Sequence, residues 1–261
     1  MLSTDLRVVI AERLRLAEAG RGPIAPLSVQ YPDLDENDAY EIQLLNVGRR
    51  LDAGGKLFGH KVGLTSLAMQ EMVGLDEPDY GHLFADMASA EEVPVDVTRF
   101  CSPKVEVEVG FILGADLPGA ECTLEDVLAA TEYVVPSIEL IDSRIADWMI
   151  NGCDTIADNA SCGSFMLGAA RVAPADIDLT AIDTVFSRNG TEVAWGRSDA
   201  VLGNPANAVA WIARKMEAYG VRLKAGDFVL PGACSRAVDA SAGDYFHADF
   251  SGLGTVSMQF K

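Results

Sequence analysis

The sequence predicts an α+β fold, a strand-rich body preceded by a helical N-terminal region. Three observations carry that prediction. Two segments near the N-terminus repeat apolar residues at helical spacing. From about residue 56 onward the pattern changes to short apolar runs broken by Gly and Pro, without the strand–helix alternation of a doubly wound sheet. Asn189-Gly190 then stands between two such runs, "DTVFSR" and "TEVAWG", which is a strong β-hairpin signal.

Residues 3–19 read as an amphipathic helix, with Leu6, Val9, Ile10, Leu14 and Ala17 on one face and Gly20 as its stop. "RGPIAPLSVQYPDL" is a Pro-bearing connector. Residues 36–51, "ENDAYEIQLLNVGRRL", form a second helix ended by Gly54-Gly55. The strand-like runs follow: "KLFGHKVGL", "KVEVEVGFIL", "YVVPSIELI", "GSFMLGAARV", the hairpin above, "GDFVLPGA" and "GDYFHADFSGLGTVSMQF". Two helices interrupt them. One starts near Thr123 with Glu125 and Asp126 in its first turn. The other is "NPANAVAWIARKMEAYG", with Asn204 as N-cap, Pro205 at the first helical position and Gly220 past the end. The change of character divides the chain into a helical region, 1–55, and a main domain, 56–261.

The totals exclude several function classes. Hydrophobic residues make up 49% of the 261, which is ample for a core. Asp and Glu number 39 against 20 Lys and Arg, a net charge of −19. Such a surface repels phosphate backbones and anionic lipid, so neither a nucleic acid nor a membrane is an expected partner. No run of about 18 apolar residues exists, and the charged N-terminus lacks the apolar stretch of a signal peptide. The five cysteines, without C-x-x-C spacing, read as free thiols of a reducing, cytoplasmic setting.

The run "KVEVEVGFIL" poses a chemical question. Glu106 and Glu108 stand two residues apart among valines, so in a strand they share a face, roughly 6–7 Å apart along the backbone. Either that face meets solvent, or a cation lies between two buried carboxylates. Glu139 is the lone charge in "YVVPSIEL" and supplies a third carboxylate. Three carboxylates on two strands suit an octahedral oxygen site for Mg²⁺ or Mn²⁺.

Other segments offer weaker signals. "GHKVGLTS" places Lys61 in a short strand before a helix opened by Thr65 or Ser66 and closed by Gly74. A helix N-terminus can seat a carboxylate, yet an isolated lysine beside a cap is most often a solvated one. In "EPDYGHLFADM", Pro78, Asp79 and Gly81 carry a turn signal. "DTIADNAS" places Asp158, Asn159 and Ser161 in a tight loop or a hydrogen-bonding pocket. His60, His82 and His247 are scattered, and no Ser-His-Asp or Cys-His pattern commits to a nucleophile.

Taken together and in order, "GHKVGLTS", "EPDYGHLFADM", "KVEVEVGFIL", "PSIELIDSRIADW", "DTIADNAS", "GRSDAVLGNPANAVAWIARK", "LPGA" and "GLGTVSMQF" resemble the 2-hydroxypentadienoate (2-keto-4-pentenoate) hydratases, members of the fumarylacetoacetase-like superfamily. The resemblance covers nearly the whole chain. It implies a fumarylacetoacetase C-terminal-like mixed β-roll, a homo-oligomer, and Mg²⁺ or Mn²⁺ as cofactor. It implies Glu106, Glu108 and Glu139 as metal ligands and Lys61 and Asp79 as catalytic residues. Thr65, Ser66 and Ser161 are then substrate-binding residues. The implied reaction adds water to a 2-hydroxy-2,4-dienoate, through its 2-oxo-3-enoate tautomer, to give a 4-hydroxy-2-oxo acid. That places the chain in aromatic or steroid meta-cleavage catabolism, with the downstream aldolase as a partner. Three alternatives stay open: the sister 2-oxo-3-hexenedioate (4-oxalocrotonate) decarboxylase, a related C–C hydrolase, and a non-catalytic partner subunit. "Pro-Asp-aromatic-Gly", here Pro78-Asp79-Tyr80-Gly81, is the hydratase form; the decarboxylases tend to carry an apolar residue in place of the Asp.

Overall fold

Helices gather at the N-terminal end because their apolar stripes need a surface to cover. The computed structural model describes residues 1–261 apart from the side chain of Arg21. Helix α1, Thr4–Leu16, is capped by Ser3, whose Oγ accepts the Leu6 N–H at 3.3 Å, and it buries Ile10, Ala11 and Leu14. It is shorter than the 3–19 expected. The chain widens into a looser turn over Ala17–Arg21, where Gly20 takes φ 86°. The connector holds a single helical turn, α2, Leu27–Gln30. Helix α3, Glu36–Asp52, opens on a capping box between Asp35 and Asp38 and buries Ala39, Tyr40, Ile42, Gln43 and Val47. Ile10, Leu14 and Ile42 lie in the same buried cluster as Val107, Phe111 and Val229 of the strands.

The body then runs β1 (Leu57–Gly63), α4 (Leu67–Val73), β2 (Asp79–Phe84), β3 (Pro103–Leu113), α5 (Leu124–Ala130), β4 (Thr131–Asp142), α6 (Gly152–Ala157), β5 (Cys162–Leu167), β6 (Asp183–Arg188), β7 (Thr191–Arg197), α7 (Pro205–Glu217), β8 (Phe228–Leu230), β9 (Val238–Asp239), β10 (Tyr245–Phe250) and β11 (Gly254–Gln259). Seven strands form one sheet in the order β2-β1-β8-β3-β4-β5, with β9 beside β3. All its pairings are antiparallel except β1 with β8. The outermost strands β2 and β5 approach each other, so this sheet curls into a half-barrel. A second, antiparallel sheet has the order β11-β10-β6-β7. Its β6–β7 turn is the Asn189-Gly190 hairpin, both residues at positive φ (54° and 79°). Among the described residues no helix is long and apolar enough to cross a membrane.

One part of the sequence reading is corrected. Asp79, Tyr80 and Gly81 are not a turn; they begin β2, a strand buried along its whole length. Gly81 is required by a close approach, since a Cβ there would lie 2.4 Å from the Asn159 carbonyl oxygen. Tyr80 stacks on Tyr40 of α3, ring centroids 4.7 Å apart.

Gly59 tests the curl. A Cβ there would meet the Phe228 carbonyl at 1.8 Å, on the one parallel strand pair that joins β1 to the sheet. Gly59→Ala is expected to cost more than the ~1–3 kcal/mol of an overpacked core, because backbone cannot repack as a side chain does. Thermal unfolding and soluble yield measure it; a wild-type melting temperature contradicts this account of the β1–β8 contact.

Candidate active site

The register of β3 against β4 sets Glu106 opposite Glu139, and Glu108 opposite Ser137. All four side chains share one face. Val105, Val107 and Val109 fill the other and are fully buried, each contributing about 1.5–3 kcal/mol on burial. The glutamates therefore do not form a solvated face. Glu108 and Glu139 are buried and Glu106 is half-buried. Carboxylate oxygens of the three lie within 4.8 Å of one another. Glu108 Oε2 accepts the Gly232 N–H at 2.7 Å, while both oxygens of Glu139 are buried without a hydrogen-bond partner.

Burial raises all three carboxyls, and repulsion from the neighbouring glutamates adds to it at Glu106 and Glu108. Burial, then the Glu139 charge, pushes Glu106 up to about 7. Burial, then Glu139 and Glu106, pushes Glu108 well above the carboxylate range. Burial also raises Glu139, against the pull of Lys61. Three crowded oxygen donors, one with its hydrogen-bonding capacity unused, fit a hard divalent cation. Among the described residues no histidine or cysteine joins the group.

Lys61 comes to this cluster from β1. Its buried ammonium donates to the Ala160 carbonyl at 3.0 Å and lies 3.4 Å from Glu139 Oε1. Burial opposes its charge, but Glu139 and then Asp79 outweigh burial, and its pKa rises. Asp79, at the start of β2, pairs with Gly63 of β1. A Cβ on Gly63 would lie 2.3 Å from Asp79 Oδ1 and 3.3 Å from Lys61 Nζ, so the glycine of "KVG" lets these two groups share the space. Asp79 Oδ2 accepts from Thr155 Oγ1 at 3.2 Å; Oδ1 is buried without a partner. Burial raises the Asp79 pKa, against the pull of Lys61.

Ser161 is buried with its hydroxyl 3.4 Å from that of Thr155, so it joins the Asp79 end. Thr65 is buried against Gly232, the residue that donates to Glu108. Ser66 is exposed, and its Oγ is occupied as the cap of α4, accepting the Met69 N–H at 3.4 Å.

The sequence did not single out Thr155, the Ala160 carbonyl, Cys162 or Arg144. The Cys162 thiol lies beside Glu139, and burial raises its pKa well above that of an ordinary thiol. Arg144 forms a buried ion pair with Asp158 at 2.6 Å. Between Asp158 and Cys162, the residues Asn159, Ala160 and Ser161 all have positive φ (55°, 50° and 53°). A left-handed run of this kind costs roughly 1–2 kcal/mol per residue, Asn least. The one available signal was "DNAS" itself, a cluster of small polar residues between a helix and a strand. His60 and His82, read as scattered, face each other across β1 and β2 with ring centroids 5.1 Å apart. They lie on the opposite face from Lys61. Burial lowers both, His82 to about 4, so both are neutral.

Residues 61–261 match the family model described as fumarylacetoacetate (FAA) hydrolase C-terminal. A 2-keto-4-pentenoate hydratase of Paraburkholderia xenovorans (strain LB400) is 44% identical, over 100% of this chain and 97% of its own. A 2-hydroxyhexa-2,4-dienoate hydratase of Comamonas testosteroni is 41% identical, over 98% of this chain and 99% of its own. Among solved structures, the 4-oxalocrotonate decarboxylase of Pseudomonas putida G7, complexed with magnesium and adipate, superposes with a TM-score of 0.97. It is 33% identical and covers 100% of this chain and 99% of its own.

The raised carboxyls give a pH prediction for metal-free protein. Glu106 has a folded pKa of about 7, above its ordinary value of 4.5. The folded state then binds more protons than the unfolded state between those values, so stability falls as pH rises through that window. Melting in EDTA from pH 5 to 8 should show wild type losing stability relative to Glu106→Gln as pH rises. With Mg²⁺ present the difference should reverse, because the ion competes with those protons. Parallel curves in EDTA contradict the crowded-carboxylate account.

Proposed function

This chain belongs to the fumarylacetoacetate hydrolase C-terminal family, and on that premise we propose that it is a hydro-lyase. Its substrate is a 2-hydroxy-2,4-dienoate, hydrated through the 2-oxo-3-enoate tautomer to a 4-hydroxy-2-oxo acid. The observation that carries the reading is the grouping of the site: three crowded glutamates with Lys61, and beside Lys61 the carboxylate of Asp79 with a free buried oxygen. Hydratase relatives at 41–44% identity over the full length agree with it.

In this reading Glu106, Glu108 and Glu139 hold Mg²⁺ or Mn²⁺. Bound there, such an ion would supply Lewis acidity toward the substrate's oxygens. Lys61 balances negative charge at the same oxygens, with Thr65 and Ser66 at the carboxylate end. Loss of the C2 hydroxyl proton and addition of a proton at C5 turn the dienol into the 2-oxo-3-enoate, whose C4 is electrophilic because the C2 carbonyl withdraws through the double bond. Asp79, aligned by Thr155 and Ser161, orients a water at C4 and takes its proton. The hydroxyl ends on C4 and a proton on C3. The product is a β-hydroxy ketone, the class that aldolases cleave between C3 and C4. We therefore also propose a downstream aldolase as partner, in aromatic or steroid meta-cleavage catabolism. The working form we propose is a cytoplasmic homo-oligomer, with residues 1–55 as a helical region serving a catalytic domain at 56–261.

The likeness to a decarboxylase structure favours one competing reading, loss of CO₂ from a 2-oxo-3-hexenedioate. That reaction needs an electron sink at C2 and no water at C4. It also brings a second carboxylate, which the Asp79 end would repel. Wild type supplied with enzymatically generated 2-hydroxypentadienoate should hydrate it, read as loss of dienol absorbance, and EDTA should abolish turnover. Asp79→Asn should slow hydration by about 10²–10⁴-fold, the range for loss of a general base, while dienol-to-enone isomerisation survives. CO₂ release from the hexenedioate at a rate matching hydration overturns the hydratase reading. Near-normal hydration by Asp79→Asn removes Asp79 from the mechanism.

A further inference from the structure

The left-handed turn Asn159–Ser161 is held by polar contacts. At its entry, the Asp158 carboxylate accepts from Arg144 Nε at 2.6 Å and from the Arg144 backbone N–H at 2.9 Å. Arg144 Nη2 donates to the Asp158 carbonyl. Arg144 Nη1 donates to the Cys162 carbonyl at 2.7 Å, just past the turn, and to the Asp142 carbonyl at 2.8 Å. One guanidinium therefore spans both ends. In the middle, the Asn159 side chain clasps the backbone of His82: Oδ1 accepts its N–H at 2.8 Å and Nδ2 donates to its carbonyl at 3.0 Å.

Gly81 of β2 packs against the Asn159 carbonyl, but cavities open beside the turn. A cavity of about 510 Å³ is lined by Arg144, Asp158 and Asn159, and one of about 910 Å³ by Arg144 and Cys162. Backbone strain persists only where its surroundings over-determine it. Here those surroundings are the guanidinium and the Asn159 clasp.

The opposite side of the turn faces the site. The Ala160 carbonyl accepts from Lys61 Nζ at 3.0 Å, in a space that also holds the carboxylates of Glu139 and Asp79. A lysine stem is flexible and its ammonium has three donors. Without a fixed neutral acceptor the ammonium would be free to fold onto either carboxylate. The carbonyl takes one donor and the Glu139 ion pair holds the ammonium from the other side, which leaves donor capacity for a ligand.

We propose that Arg144, Asp158 and Asn159 are positioning residues: they clamp the strained turn so that the Ala160 carbonyl aims the Lys61 ammonium across the glutamate cluster. The proposal rests on the reading above, in which Lys61 faces the substrate's C1 and C2 oxygens.

The test is a double-mutant cycle between Asn159→Gly and Lys61→Met, read as the affinity of the Mg²⁺-loaded protein for oxalate by calorimetry. Asn159→Gly deletes the clasp and keeps positive φ accessible. It should weaken oxalate binding and lower kcat by about 10- to 100-fold, the cost of misplacing a group by about 1 Å, with Mg²⁺ affinity little changed. In the Lys61→Met background the same substitution should change oxalate affinity by less than about 2-fold, because coupled residues are not additive. If Asn159→Gly fails to fold, Arg144→Lys replaces it in the cycle, with the same expectation; it keeps the charge and loses the span to Cys162. Equal losses in both backgrounds overturn the positioning role, as does wild-type oxalate affinity in the single variant. Oxalate binding needs no turnover, so a wild type that fails to hydrate dienoate is a separate result and overturns the hydratase reading instead.

Discussion

Repulsion among Glu106, Glu108 and Glu139 is the constraint on which the rest of the site depends. Two like charges about 5 Å apart repel by about 3 kcal/mol at an effective dielectric near 20, and here three meet where hydrogen bonds satisfy little of them. The antiparallel register of β3 and β4 fixes the crowding, because sliding one strand by one residue would turn its glutamate to the valine face. The valines pack a fully buried layer, so the apolar face holds the polar one in place. Positive charge has to be brought to this point. Lys61 arrives from a strand that is parallel-paired to β8, which itself pairs with β3.

How much of this was legible depended on how local each signal is. The capped helix from Asn204 and Pro205, the Asn189-Gly190 hairpin and the alternation of β3 are short-range patterns, and the structure follows them. The glutamate cluster was legible in part. Two of its members are two residues apart, and the third is an isolated charge in an apolar run. Gly63 and Gly81 were not readable as site residues. Each is small because of a neighbour distant in sequence, the Asp79 carboxylate for one and the Asn159 carbonyl for the other. For the same reason "PDYG" looked like a turn: Pro, Asp and Gly mean turn locally, but here Gly81 answers to a tertiary contact within a buried strand.

Arg144 and Asp158 lay further from view. An Arg and an Asp fourteen positions apart carry no periodic signature, and both types are ordinarily solvated. Their burial follows from the backbone they serve. Asp142 and Cys162 leave carbonyls pointing at the turn, and one planar guanidinium meets both while holding Asp158. A lysine could pair the charge but could not span the carbonyls.

Charge arithmetic ties these groups together. With every group ionised, the three glutamates and Asp79 against Lys61 leave three net negative charges, in a region where all but Glu106 are buried. A divalent ion removes two of them, and a monoanionic ligand restores one. Burial raises the Asp79 pKa against the pull of the Lys61 ammonium, and its other polar neighbours are the uncharged hydroxyls of Thr155 and Ser161. In the reading proposed above, Asp79 in its carboxylate form takes a proton from water and keeps it within reach of the substrate. A second substrate carboxylate at this end would meet the carboxylate form of the same residue, and an apolar side chain there would remove that conflict along with the means of activating water. The choice between adding water and losing CO₂ can therefore turn on one residue, while the glutamates, Lys61 and the clamped turn behind it stay the same.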